Sequence, residues 1–254
     1  MLDAYIYDGL RTPFGRHAGK LAGIADEGGW WPAFDSNEEA LAMVVTAIER
    51  AGFDAGSDVA IALDIAASEF GRDGRYRLGL DRRELDGAGM IELLLSWLDR
   101  YPIVSIEDPL AEDDRAGWIA FARAAGSRVE IVGDDYLTTD AARVRAAAAD
   151  GACNAVLVKP NQAGTLTETL AALRAAKDAG FATIVSARSG ETEDVSIVHL
   201  AVGWDAGRLK VGSFARSERM AKWNEGLRIE EALARTAPFA GPRALARPTR
   251  RRSA

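Results

Sequence analysis

The chain has 254 residues, 48% hydrophobic and 27% charged, and a formal net charge of -7. This is the balance of an ordinary soluble globular protein, and it excludes a general nucleic-acid binder, whose surface must be basic to meet phosphate. One cysteine, Cys153, excludes an internal disulfide framework and fits a reducing, cytoplasmic setting, and there is neither a bilayer-length apolar run nor a signal-peptide pattern.

The predicted elements run as follows. Ser36 with Glu39 makes a capping box before a helix over 40–51, which Gly52 stops. From about residue 58 a unit repeats: a short run rich in Val and Ile, a charged or polar residue, then an amphipathic or Ala-rich stretch. The runs are 59–63, 103–106, 129–132, 155–158, 183–185 and 209–211. Near-continuous apolar strands alternating with helices are what a parallel sheet covered on its outside demands, so the fold class is α/β. Between the first two runs, 71–89 is polar and rich in Gly, Arg and Asp, and reads as a surface excursion. Ala-rich stretches over 141–149 and 170–179 have high helix propensity, and Thr165 with Glu168 caps the second. After Leu233 the prolines and glycine at 238, 241, 242 and 248 break the pattern. The arginines at 250–252 then predict a basic, disordered tail over 235–254.

Asp64, Glu107, Asp134 and Lys159 each fall at the C-terminal end of a predicted strand. In a parallel barrel those ends open onto one face, so separate segments deliver their charges to one site. A doubly wound open sheet would do the same, but it would usually carry a glycine-rich loop after its first strand, and none is evident. Six strand–helix units are clear, against the eight of a closed barrel. Residues 4–7 and the stretch before Asp26 are the candidates for more. The exposed strand edges of an incomplete barrel invite association.

Six blocks carry a resemblance. They are Asp26-Glu27-Gly28-Gly29, Ala62-Leu63-Asp64-Ile65-Ala66-Ala67-Ser68-Glu69-Phe70 and Ser105-Ile106-Glu107-Asp108-Pro109-Leu110. Val132-Gly133-Asp134-Asp135, Lys159-Pro160-Asn161-Gln162-Ala163-Gly164-Thr165 and Arg188-Ser189-Gly190-Glu191-Thr192-Glu193-Asp194 follow. In order and spacing they resemble enolase, the glycolytic phosphopyruvate hydratase, from Asp26 to about Leu233. The resemblance implies a TIM-like barrel of parallel strands with outer helices, here incomplete and without the N-terminal capping domain. It implies a magnesium-dependent lyase that dehydrates 2-phosphoglycerate, a small phosphorylated hydroxy acid, to phosphoenolpyruvate, and commonly a homodimer. Asp64, Glu107 and Asp134 match the carboxylates that hold Mg2+, a cation that prefers hard oxygen ligands. Glu107 and Asp134 also count toward the substrate site. Lys159 matches the catalytic base and Glu27 the acid that helps the hydroxyl depart. Ser186, Arg188 and Ser189 match the phosphate loop, and Lys210 a further substrate-binding lysine. A lysine base working with magnesium is the known pattern of this superfamily. It requires an uncharged amine on Lys159 and a proton on Glu27.

The pattern departs from the family in three places. Ala187 stands where the family has a histidine, which removes a donor from the substrate site; neither His17 nor His199 is read as its replacement, since His199 lies in a helical stretch that suits a surface or packing role. Only Met1 to Ala25 precede the Asp-Glu-Gly-Gly block. Residues 3–16 resemble instead the start of a thiolase, an acetyl-CoA acetyltransferase, without its catalytic cysteine and histidine motifs. The expected organisation is therefore a thiolase-like segment over 1–23, a partial enolase barrel over 24–234 and the basic tail over 235–254, a fusion with a truncated barrel. Two rival functions remain. One is a non-catalytic barrel that binds metal or a protein partner. The other is a dehydratase for another hydroxy acid, because Ala187 widens the pocket.

Overall fold

The computed structural model describes residues 10–11, 27–30, 32–126, 128–236 and 239–246. In chain order, β1 (Leu10–Arg11) is followed by α1 (Asn37–Arg50) and β2 (Ile61–Asp64). A small meander comes next: β3 (Gly71–Arg72), β4 (Arg75–Leu78) and β5 (Arg83–Asp86). Then α2 (Gly87–Arg100), β6 (Ile103–Glu107), α3 (Arg115–Ala125), β7 (Glu130–Gly133), α4 (Ala141–Asp150) and β8 (Ala155–Val158) alternate. The one-turn α5 (Pro160–Ala163), α6 (Leu166–Asp178), β9 (Ala182–Ser186), α7 (Ser196–Gly203), β10 (Gly207–Lys210) and α8 (Ser217–Leu233) complete the series.

Local chemistry sets the helix starts. Ser36 Oγ accepts from Glu39 N–H at 3.2 Å and Thr165 Oγ1 from Glu168 N–H at 3.1 Å, as the capping boxes predict. The Glu39 carboxylate reaches back one residue further than the motif requires, to the Asp35 N–H at 2.8 Å. Asp140 caps α4 with one oxygen shared between Ala142 and Arg143 N–H.

Among the described residues the main sheet has seven strands in the order β1-β2-β6-β7-β8-β9-β10, each pair parallel. The period of two along each strand sorts its residues between two cores. Leu63, Ile106, Ile131, Val156, Val158 and Val185 point outward and join Leu94, Trp97, Trp118, Phe121, Val144 and Leu173 of the helices. Val132, Ala155, Leu157 and Ile184 form a second cluster on the inner face. Inner side chains meet across the sheet. Lys210 of β10 reaches Asp64 of β2 at 2.9 Å, although four strands lie between theirs in the order. Only a sheet curled toward a barrel brings those strands together.

Three sequence expectations are sharpened or corrected. The excursion over 71–89 is an antiparallel meander. It is anchored by the fully buried Tyr76, whose hydroxyl donates to Asp114 Oδ2 at 2.8 Å and accepts from Ala111 N–H at 3.1 Å. Burial pushes its phenol up. The stretch before Asp26 does supply a further strand, Leu10–Arg11, paired in register with Leu63 and Asp64; residues 4–7 lie outside the described residues. Finally, part of the segment expected to be a solvated tail is folded. A short 3-10 turn at Gly241–Ala244 precedes Ala246, whose N–H donates to Glu130 Oε2 at 2.7 Å. Cys153 is buried, and burial pushes its thiol up, as befits an unreactive core residue.

Candidate active site

The same period of two builds the site. Asp64, Glu107, Asp134, Lys159, Ser186 and Lys210 each stand two residues beyond an inner-face residue: Ala62, Ser105, Val132, Leu157, Ile184 and Arg208. All six therefore project into the mouth at the C-terminal ends of the strands, where parallel barrels place their chemistry. Four of them were legible as charged strand ends, and the structure brings these together.

Lys210 Nζ donates to Asp64 Oδ2 at 2.9 Å and to both Glu107 oxygens at 2.7 and 2.8 Å. Lys159 Nζ pairs with Asp134 Oδ2, and both side chains are nearly buried. Lys159 N–H donates to Thr139 Oγ1 at 2.9 Å, which fixes the strand end. The expected metal trio is thus divided between two lysines. Among the described residues, Asp108, Asp134 and Asp135 form a group of three carboxylates with oxygens within 4.8 Å of one another.

Asp108 is the residue that sequence reasoning passed over. It is buried, its backbone is left-handed at φ 41°, and its carboxylate accepts from Asp134 and Asp135 N–H, each at 2.8 Å. It shapes the turn that carries Asp134. Its place directly after Glu107, ahead of a proline, was the available signal.

Negative charge exceeds what the lysines offset. Burial, then the charge of Asp64, pushes Glu107 up to about 8 despite Lys210. Burial and Asp134 hold Asp108 well above the usual carboxylate range, and Asp135 moves the same way for the same reasons. Burial opposes the charge on Lys210, but Asp64 and Glu107 outweigh it and hold the ammonium firmly protonated. Such a cluster of hard oxygen donors fits a divalent cation of the magnesium or calcium kind.

Glu27 comes to the mouth from another direction. Its carbonyl accepts from Ser213 N–H at 2.8 Å, just past the end of β10. Two glycines permit this approach. A Cβ on Gly212 (φ 122°) would lie 2.4 Å from the Glu27 carbonyl oxygen, and one on Gly28 (φ 81°) 2.5 Å from that of Ala215. Arg188 follows β9; its N–H donates to Glu191 Oε1 at 2.8 Å and its Nη1 to Asn161 Oδ1 at 3.4 Å. Ser189 is exposed, and Ser186 Oγ, buried, donates to the Ala187 carbonyl at 2.8 Å. Ala187 is buried and its N–H donates to the Lys210 carbonyl at 2.9 Å. His199 lies on α7, paired with Glu225 at 3.0 Å and away from this cluster; His17 lies outside the described residues.

Comparison with known proteins agrees with this fold. The family described as enolase, C-terminal TIM barrel domain, matches residues 2–247. Enolase 1 of Desulfitobacterium hafniense (strain Y51) is 48% identical over 237 residues, covering 92% of this chain and 54% of that protein. The chain thus spans about half the length of that relative. The family match begins at residue 2, and Leu10–Arg11 is a strand of the barrel sheet, so the expected thiolase-derived segment over 1–23 finds no support. No helix among the described residues is long and apolar enough to cross a membrane. By its inward-facing residues and by both comparisons, the chain belongs to the enolase family through its C-terminal barrel domain.

Proposed function

We propose that this chain catalyses the magnesium-dependent dehydration of 2-phosphoglycerate to phosphoenolpyruvate. The observation that carries the reading is the convergence of Lys159 and Lys210 on Asp64, Glu107 and Asp134 at one barrel mouth. Asp64, Glu107 and Asp134 would hold magnesium, which supplies positive charge beside the substrate carboxylate when bound. Lys159 Nζ, once it has left Asp134 and released its ammonium proton to solvent, takes the proton from the carbon next to that carboxylate. The electron pair of the broken C–H bond forms the new carbon–carbon double bond. Glu27 gives its proton to the departing hydroxyl, which leaves as water. Lys210 binds the substrate carboxylate end of the site, while Arg188 with Ser186 and Ser189 binds the phosphate. Arg188 suits this task because a guanidinium presents several donors in a fixed plane.

Proton abstraction has its own test. In deuterated water with magnesium, the chain should exchange the C2 hydrogen of 2-phosphoglycerate at least as fast as product appears. A folded chain that exchanges none would sink the reading.

Ala187 bears on the alternative, a dehydratase for another hydroxy acid. Ala187→His restores a donor to the substrate site. A hydrogen bond to a charged group is worth about ten- to a hundred-fold. The variant should gain roughly that in kcat/KM for 2-phosphoglycerate; a loss, with other hydroxy acids turned over faster by the parent chain, favours the alternative.

A further inference from the structure

Two cations of α8 take no part in the chemistry above, yet Arg219 is 1% exposed and Lys222 0%. Arginine and lysine are almost never so buried unless they are paired. Both direct their donors at one loop. Arg219 Nη1 donates to the carbonyls of Arg188 at 2.9 Å and Val211 at 2.8 Å, and Nη2 donates to the carbonyl of Ser189 at 2.7 Å. Lys222 Nζ donates to the Thr192 carbonyl at 2.8 Å and pairs with Glu191 Oε2 at 2.9 Å. It also donates to the Glu218 carbonyl of its own helix at 3.1 Å. Glu191 completes the set, since its other oxygen accepts the Arg188 N–H at 2.8 Å.

Arg188 is therefore held on both sides of its main chain, by Glu191 at its N–H and by Arg219 at its carbonyl. The segment 187–195 has no helix or strand of its own to hold it. Its conformation comes from side chains of a helix some thirty positions later. Arg219 also ties the loop to Val211, which immediately follows Lys210.

Taking a cation out of water is costly until its partners offset it, and well-packed apolar residues would often stabilise as well. What they could not do is fix carbonyls in chosen directions. The flat fork of an arginine can span three of them, whereas a lysine offers a single point charge.

We infer that Arg219, Lys222 and Glu191 form a buried frame that positions the Arg188–Ser189 loop, relative to Lys210, for binding an anionic group. The three are positioning residues and need not touch substrate. The inference rests on the phosphate role proposed for that loop.

The test uses the full chain with Arg219→Met, Arg219→Lys and Lys222→Met. Hydrogen exchange and steady-state kinetics are measured on each. For Arg219→Met, amides of 188–194 should exchange about ten-fold faster or more while β6 to β8 keep their protection. KM for 2-phosphoglycerate should rise about ten-fold or more with kcat within roughly three-fold, the signature of lost positioning for binding. Arg219→Lys should fall between parent and Arg219→Met, and Lys222→Met should move the same way. Unchanged exchange at 188–194, or faster exchange throughout the barrel with a matching drop in Tm, would overturn the frame. So would a fall in kcat with KM unchanged. If the parent chain does not turn over 2-phosphoglycerate, the proposed reaction is wrong. Exchange then decides the frame alone: selective loss of protection at 188–194 upholds it, and uniform or absent loss overturns it.

Discussion

Lys159→Ala should reduce phosphoenolpyruvate formation by about 10²- to 10⁴-fold, the range a positioned general base contributes. The fold should survive the change. Lys159 holds its place through its main chain, with its N–H on Thr139, and alanine keeps that bond. Its ammonium is the partner of Asp134. Removing it leaves Asp134 beside Asp108 and Asp135 with less positive charge nearby, so affinity for magnesium should stay the same or rise. The two readouts therefore move apart: turnover collapses while metal binding and melting persist. Calorimetric titration with magnesium alongside the rate assay checks this. Parallel loss of metal binding and turnover would assign Lys159 to the metal site's architecture and not to proton transfer.

Glu130→Ala should cost about 3–5 kcal/mol of stability, the usual effect of stripping one partner from a buried ion pair. Glu130 is 1% exposed at the start of β7, at the opposite end of the strands from the candidate site. Arg208 of β10 meets it with two parallel bonds, at 2.6 and 2.7 Å. Ser105 Oγ donates to the same carboxylate at 2.9 Å and Ala246 N–H at 2.7 Å. One side chain thus joins β6, β7, β10 and the segment after α8, and its loss leaves a buried guanidinium without its carboxylate. At about 2–4 °C per kcal/mol for a protein of this size, Tm should fall by roughly 6–20 °C. Pairing the change with Arg208→Met should restore much of the loss, because a buried pair replaced by apolar groups is often neutral. A single variant within a degree or two of the parent would mean that the lower end of the barrel is open to water.

Both predictions come from one alternation, and the sequence displayed half of it. The apolar strands end in charge at Asp64, Glu107, Asp134 and Lys159, and that regularity is local. It was readable because each strand is short and its last inner residue can only point into the mouth. The pair of Glu130 and Arg208 depends on which strands meet after the sheet curls, across 78 residues, and no local pattern reports it. Arg219 and Lys222 escaped notice for a related reason. On a polar helix they look like solvated charges, and only the docked loop makes them buried. Leu10–Arg11 is too short to have a period at all; its strand character comes from the edge of β2. The folded turn at Gly241–Ala244 lies between prolines and arginines that speak for a loose tail, and its anchor is again Glu130.

Formation of phosphoenolpyruvate from 2-phosphoglycerate by the purified chain, with and without magnesium and beside Lys159→Ala, is the decisive measurement. Product should form only with the metal and only with the lysine present. A cooperatively folded chain that binds magnesium yet forms no product would contradict it and leave a metal-binding barrel without the proposed turnover.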